Sequence, residues 1–182
     1  MSDKFQNKYR IASARYPHHD YDAGAYFVTI CTQCMQHYFG QISDAEMKLS
    51  PIGKLVDEEW NKTLDIRPDM DLFIDEYVIM QNHFHAIIII GENKNNTADG
   101  CRDAMHCVST TDRNKFAPQS KNLPSIIRGF KSAVTKRARL INPNFTWQSR
   151  YYDHIIRTQK EMNQIADYIQ NNVVNWELDK YH

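Results

Sequence analysis

Between positions 26 and 32 the chain runs Tyr-Phe-Val-Thr-Ile-Cys-Thr, dense enough in aromatic and β-branched side chains to predict a first strand. Residues 39 to 42 are expected to return as its hairpin partner, with Lys48 and Leu49 as a short continuation. Ser50 and Pro51 then open a helix. Proline at the first helical position gives up an amide that would lack a partner anyway, and Ile52, Leu55, Val56, Trp60 and Leu64 recur at helical spacing. Residues 73 to 80 read as a strand and residues 83 to 90 as its apolar partner, joined by a tight turn at Gln81-Asn82. From 92 to 122 the chain is polar and aperiodic, the pattern of a surface loop or disordered insertion.

Helical spacing resumes over 123 to 141, with Ile127, Phe130, Val134 and Ala138 apolar, and stops before Asn142-Pro143. Residues 147 to 156 have the content of another strand, and residues 159 to 175 form a last helix with Met162, Ile165, Ile169 and Val173 as its apolar stripe. Residues 10 to 25 lack a period and are expected to be extended. The order is strand, strand, helix, hairpin, helix, strand, helix. It predicts an α+β fold, an antiparallel sheet with helices packed on it. A chain of 182 residues with 42% hydrophobic content can bury one sizeable core, so a single domain over 1 to 182 is expected.

Charge changes this picture little. The 22 basic and 22 acidic residues cancel, so any nucleic-acid affinity must come from local clusters. The longest apolar run, residues 86 to 90, is far short of the roughly 20 needed to span a bilayer. Residues 1 to 10 are polar and lack a signal peptide's apolar stretch, so a soluble, cytoplasmic protein is expected, without a membrane partner. Cys31 and Cys34 form a CxxC, but no second pair completes a zinc set, and Cys101 and Cys107 lie in the polar segment. Free, reduced thiols are expected, because a redox CxxC more usually opens a helix than ends a strand.

The candidate chemistry begins with His83-Phe84-His85. Side chains alternate along a strand, so both imidazoles point the same way while Phe84 faces the core. Their Cα atoms would lie roughly 6 to 7 Å apart, close enough to converge on one ion through metal–nitrogen bonds of about 2.1 Å. A third ligand must come from elsewhere, and the final helix offers Asn172. Tyr168 lies four positions earlier, so the two share a helix face and a phenol would sit one turn from the amide oxygen. A phenol that attacks a phosphodiester stores the bond as a phosphotyrosine, so DNA can be cut and rejoined without an energy cofactor. Its free pKa near 10 makes it a poor nucleophile, and a divalent ion compensates by polarising the phosphate. By ligand softness alone the set suits zinc or manganese better than magnesium, and the metal's identity stays open.

These residues resemble a known family. The stretch Tyr77-Val78-Ile79-Met80-Gln81-Asn82-His83-Phe84-His85 is similar to the "hydrophobic, Met-Pro-Asn-His-x-His" block of the insertion-sequence-200-like transposases, in particular the REP-associated tyrosine transposases. Trp147-Gln148 followed by Tyr151-Tyr152-Asp153-His154-Ile155-Ile156-Arg157 resembles their "Trp-Gln, Tyr-Tyr-x-His-Ile-Ile-Arg" block. Tyr168-Ile169 with Asn171-Asn172 and Trp176 looks like their "Tyr-Ile-x-x-Asn-Pro" helix, and blocks at 26 to 32 and 126 to 131 extend the likeness over nearly the whole chain.

The resemblance implies a ferredoxin-like HUH nuclease fold, with His83, His85 and Asn172 on a divalent metal, Mg2+ or Mn2+, and Tyr168 forming a 5′-phosphotyrosine on single-stranded or hairpin DNA. It also allows a homodimer. Two departures stand out: Gln81 occupies the family's proline position, removing a rigid turn, and Val173 replaces the proline after Asn172, which lets the helix run further.

Arg128, Lys131, Lys136, Arg137 and Arg139 concentrate positive charge on one helix and are the candidate DNA contacts. Tyr16, Tyr21, Tyr151 and Tyr152 are candidates for base stacking. Tyr151 and Tyr152 rank below Tyr168 as nucleophiles, having no ligand-type residue one turn away, and His154 is expected to face solvent or the backbone. Two other readings share these residues: a non-catalytic nucleic-acid-binding module, which the departures at 81 and 173 would favour, and a replication-type nickase, which more often carries further domains.

Overall fold

The computed structural model describes residues 4–5, 8–9, 23–91, 121–179 and 181. Most of the loop expected at 92 to 122 and most of the segment at 10 to 25 lie outside the described residues. Two short strands, β1 (Lys4–Phe5) and β2 (Lys8–Tyr9), pair with each other. They are followed by β3 (Gly24–Cys31), β4 (Gly40–Ser43), β5 (Glu46–Leu49), α1 (Pro51–Asp65), β6 (Leu72–Ile79), β7 (His83–Ile90), α2 (Leu123–Ala138), β8 (Tyr152–Ile156) and α3 (Gln159–Asn171).

The main sheet has four antiparallel strands in the order β6-β7-β3-β8. The α+β, ferredoxin-like expectation is met: a strand, a crossover helix, a hairpin, a second crossover helix and a last strand that returns beside the first. The central strands β3 and β7 are buried because both faces of the sheet are covered. Tyr26, Val28, Ile30, Phe84, Ala86, Ile88 and Ile90 face one way and form the main core with α1 and α2. Phe27 and Ile87 alternate to the other face and pack beneath α3 against Ile169, Met162 and Ile165. Phe84 goes into the core as its alternation requires, its ring 4.9 Å from that of Trp60 and 5.6 Å from that of Phe130.

The helices begin where their caps dictate. The Ser50 side chain accepts from the Gly53 amide at 3.0 Å, with Pro51 next to it, and Asn122 and Ser125 form a reciprocal capping box at the start of α2. Among the described residues, no helix is long and apolar enough to cross a membrane.

Four expectations need correction. Residues 40 to 43 pair with β5 in a separate two-stranded sheet, not with β3, whose edges are already taken by β7 and β8. The strand expected over 147 to 156 is regular only from Tyr152, with Trp147 held by an isolated bridge to Thr32. The helix expected to reach 141 ends at Ala138. The last helix ends at Asn171 rather than running on to 175, and the chain turns through Asn172 to Asn175 into a short 3-10 turn, Trp176–Leu178.

Candidate active site

His83 and His85 open β7 and sit directly across from Cys31 and Thr29 on β3. The turn before them forms without proline, because the Met80 amide donates to the His83 carbonyl at 2.9 Å. The Phe39 and Thr32 amides reach in from outside, donating to Gln81 and Asn82 carbonyls at 3.0 and 2.9 Å. Backbone bonds from neighbouring segments thus do what the missing ring would have done. The imidazoles converge with centroids 4.5 Å apart. His83 Nδ1 donates to Asn82 Oδ1 at 2.7 Å, which leaves the lone pair on Nε2, and His85 Nδ1 bonds the Thr29 hydroxyl at 2.8 Å. Both rings are thereby oriented by a partner on Nδ1 and turn Nε2 toward the same space, the usual arrangement behind metal-ligating histidines.

Both histidines are buried, at 0% and 1% exposure. The reason lies in the turn after α3. Trp176 stacks on His83 at 6.0 Å, and Tyr181 lies 4.8 Å from His83 and 5.9 Å from His85. The Asn82 side chain donates to the Tyr181 carbonyl at 2.9 Å, fastening the segment down.

The same turn delivers Asp179. Ligand atoms of His83, His85 and Asp179 all lie within 4.8 Å of one another. Asn172, the third ligand expected from the sequence, is 2% exposed at the C-terminal end of α3, and its Nδ2 donates to Asp179 Oδ2 at 2.9 Å. Its Oδ1 is buried and accepts no hydrogen bond among the described residues. A buried carbonyl oxygen in that condition costs roughly 1 to 3 kcal/mol. Two imidazole nitrogens, a carboxylate and an amide oxygen with unused capacity are a donor set that fits a divalent cation. Asp179 was not legible in the sequence, since it follows an irregular turn with no pattern to place it.

Tyr168, on α3, is 42% exposed, and its hydroxyl lies 3.1 Å from His85 Nε2 and donates to Asp179 Oδ2 at 2.9 Å. Burial of its oxygen pushes the phenol well above its ordinary value of 10.0, and the adjacent Asp179 carboxylate adds to the effect. Burial also opposes ionisation of Asp179. Donation from the Tyr181 amide, the Asn172 amide and the Tyr168 hydroxyl, with His83 nearby, nonetheless holds its carboxyl below the usual carboxylate range. Phe27 is the aromatic floor of the site. Its ring stacks on His85 at 5.2 Å and meets Tyr168 and Tyr152 edge-on at 6.2 and 6.3 Å.

The four basic residues of α2 and Arg139 just beyond its end are not brought to this site as one charged face. Lys131 Nζ donates to the Gln148 and Arg150 carbonyls at 2.6 and 3.3 Å. Arg137 pairs with Glu58 and Glu59 on α1, and Arg139 donates to the Phe145 carbonyl at 3.1 Å. Arg128 and Lys136 are exposed. His154 faces solvent in part, its side chain 42% exposed, and pairs with Glu161 at 2.6 Å.

No protein-family model matches the chain. It is 38% identical over 172 residues to an uncharacterized protein of Haemophilus influenzae, covering 93% of this chain and 92% of that one. Its fold is that of a solved REP-associated tyrosine transposase bound to a REP hairpin, with a TM-score of 0.57 and 18% identity over 92% of this chain and 77% of the other.

Proposed function

We propose that this chain, which belongs to the same family as the Haemophilus influenzae protein, is a metal-dependent transferase that cleaves and rejoins DNA through Tyr168. One observation carries the reading: the Tyr168 hydroxyl lies within hydrogen-bond distance of His85 Nε2 and of Asp179, in the cluster His83, His85 and Asp179. A phenol held against a metal-type donor set is suited to attack on a phosphorus that the same donors help to bind.

In this reading His83 and His85 hold a divalent cation, Mg2+ or Mn2+, together with Asn172 Oδ1, Asp179, or both. When bound, that cation supplies positive charge that polarises a phosphate oxygen and favours the phenolate. Thr29 and Asn82 keep the two imidazoles in the ligating orientation through Nδ1. The Tyr168 oxygen forms a bond to phosphorus and the bond from phosphorus to the sugar 3′ oxygen breaks. The products are a 5′-phosphotyrosine and a free 3′-hydroxyl, and attack by a 3′-hydroxyl on the phosphotyrosine reverses the step and joins strands. Each step exchanges one phosphate ester for another, so no energy cofactor is consumed.

Single-stranded or hairpin DNA is the proposed substrate, in keeping with the hairpin held by the solved structure of the same fold. Of the basic residues on α2, the exposed Lys136 is the phosphate contact we favour. Lys131, Arg137 and Arg139 are engaged within the protein and could contribute only by changing partners.

A second reading has its own support. His83 and His85 lie under Trp176 and Tyr181, an arrangement that would suit a nucleic-acid-binding module without turnover. Incubation of the protein with a labelled DNA hairpin bearing a single-stranded extension, with Mn2+, separates the two. A covalent protein–DNA adduct on a denaturing gel, mapped to Tyr168 by mass spectrometry, supports the transferase. Salt-sensitive binding with no adduct under Mg2+ or Mn2+ supports the binding module.

A further inference from the structure

Beside the candidate site, on the same face of the sheet, the edge strand β8 presents an aromatic side chain that the proposed reaction has not used. Tyr152 pairs across β8 and β3 with Thr29, and Thr29 pairs on its other side with His85. Directly opposed residues share a face, so Tyr152, Thr29 and His85 form one row across the sheet, the outer two separated by about two strand spacings of roughly 4.8 Å each. Helix α3 lies over the β6 and β7 end of this face, and Tyr152, at the other end, is 50% exposed.

Tyr152 and the nucleophile candidate also share a support. The ring of Phe27 meets Tyr152 at 6.3 Å with an interplanar angle of 70° and meets Tyr168 at 6.2 Å with an angle of 84°. One rigid side chain on a central strand therefore fixes two exposed tyrosine rings relative to each other. Exposed Arg150 and Arg157 flank β8 in sequence, so a phosphate chain running along this edge would meet positive charge at both ends.

We propose that Tyr152 is a stacking platform that holds one base of single-stranded DNA next to the phosphate presented to Tyr168. The role rests on the transferase reading above and extends it: Tyr152 positions substrate and takes no part in bond making. Base stacking on an aromatic ring is tolerant of sequence, so the platform grips any base and sets the register of the strand.

The test uses the full chain in EDTA, so that binding is read without cleavage, and a fluorescent DNA hairpin with a single-stranded extension of about ten thymidines. Tyr152→Ala is expected to weaken binding by about five- to 100-fold, while Tyr152→Phe stays within about twofold of wild type. Replacing the extension by abasic residues should weaken wild-type binding and abolish the difference between wild type and Tyr152→Ala. The inference is overturned if Tyr152→Ala binds as wild type does, or if its loss is undiminished on the abasic probe, which would make the loss structural. With Mn2+ in place of EDTA, a Tyr168 adduct formed at wild-type rate by Tyr152→Ala, with unchanged binding, sinks the platform and leaves the transferase standing. A wild-type protein that binds no such DNA sinks both.

Discussion

The hydroxyl of Tyr168 lies 3.1 Å from Nε2 of His85, joining a half-exposed phenol on the last helix to a fully buried imidazole on a central strand. That hydroxyl has one proton and two neighbours that would accept it, His85 Nε2 and Asp179 Oδ2. A cation on His85 would leave Asp179 as the remaining acceptor. Tyr168→Phe keeps the ring against Phe27 and His85 and removes only the oxygen. The expected result is complete loss of the DNA adduct with a stability change below about 3 kcal/mol, the upper end of the range for one hydrogen bond to a charged partner. Denaturing gels and urea melts of the same preparation check both parts. A persistent adduct would move the nucleophile to another tyrosine.

The orientation of the two imidazoles yields a prediction about metal affinity. Thr29→Val preserves shape at a buried position and removes the hydroxyl that fixes His85 Nδ1. Calorimetric titration with Mn2+ is expected to show affinity lower by about 10- to 100-fold, the usual cost of losing an outer-shell partner. Asp179→Asn in the same titration distinguishes the two candidate third ligands. Affinity falls if the carboxylate binds the ion and holds if Asn172 Oδ1 alone completes the set.

How much of this site was legible follows from what encodes each residue. His83 and His85 were readable because alternation along a strand fixes their common side, and Tyr168 with Asn172 because helical spacing fixes theirs. Asp179 had no such period. It reaches the histidines only because α3 stops at Asn171 and the chain doubles back, an outcome set by Trp176 and Tyr181 packing on the imidazoles. The pairing of Gly40–Ser43 escaped for a related reason: a short strand pattern declares its faces but not its neighbour. The charge on α2 was visible too, but its partners belong to other segments, so its availability could not be read from the helix alone.

Those partners make the basic residues of α2 separable by experiment. Arg137→Ala breaks the pairing with Glu58 and with the largely buried Glu59, and is expected to lower the urea midpoint. Lys136→Ala should leave the midpoint unchanged, weaken DNA binding across sequences and reduce the slope of log affinity against log salt by about one. Equal effects of the two variants on DNA binding, with no difference in stability, would contradict the separation.

Lys131 carries a pH dependence whose sign can be worked out. Burial lowers its ammonium from an ordinary 10.5 to about 8, although Cys31 acts in the opposite sense. Between about pH 8 and 10.5 the folded chain therefore binds fewer protons at this site than the unfolded chain does. Stability changes with pH in proportion to protons bound unfolded minus protons bound folded, which is positive here, so this group's contribution rises as pH climbs through that window and is flat below it. Other groups titrate in the same range, and comparison with Lys131→Met cancels them. Urea melts of both proteins at pH 7.5, 9 and 10.5, chosen to bracket about 8 to 10.5, should show wild type gaining on the variant as pH rises. A difference that stays constant would mean that the carbonyls of Gln148 and Arg150, which accept from Nζ, hold the ammonium charged despite its burial.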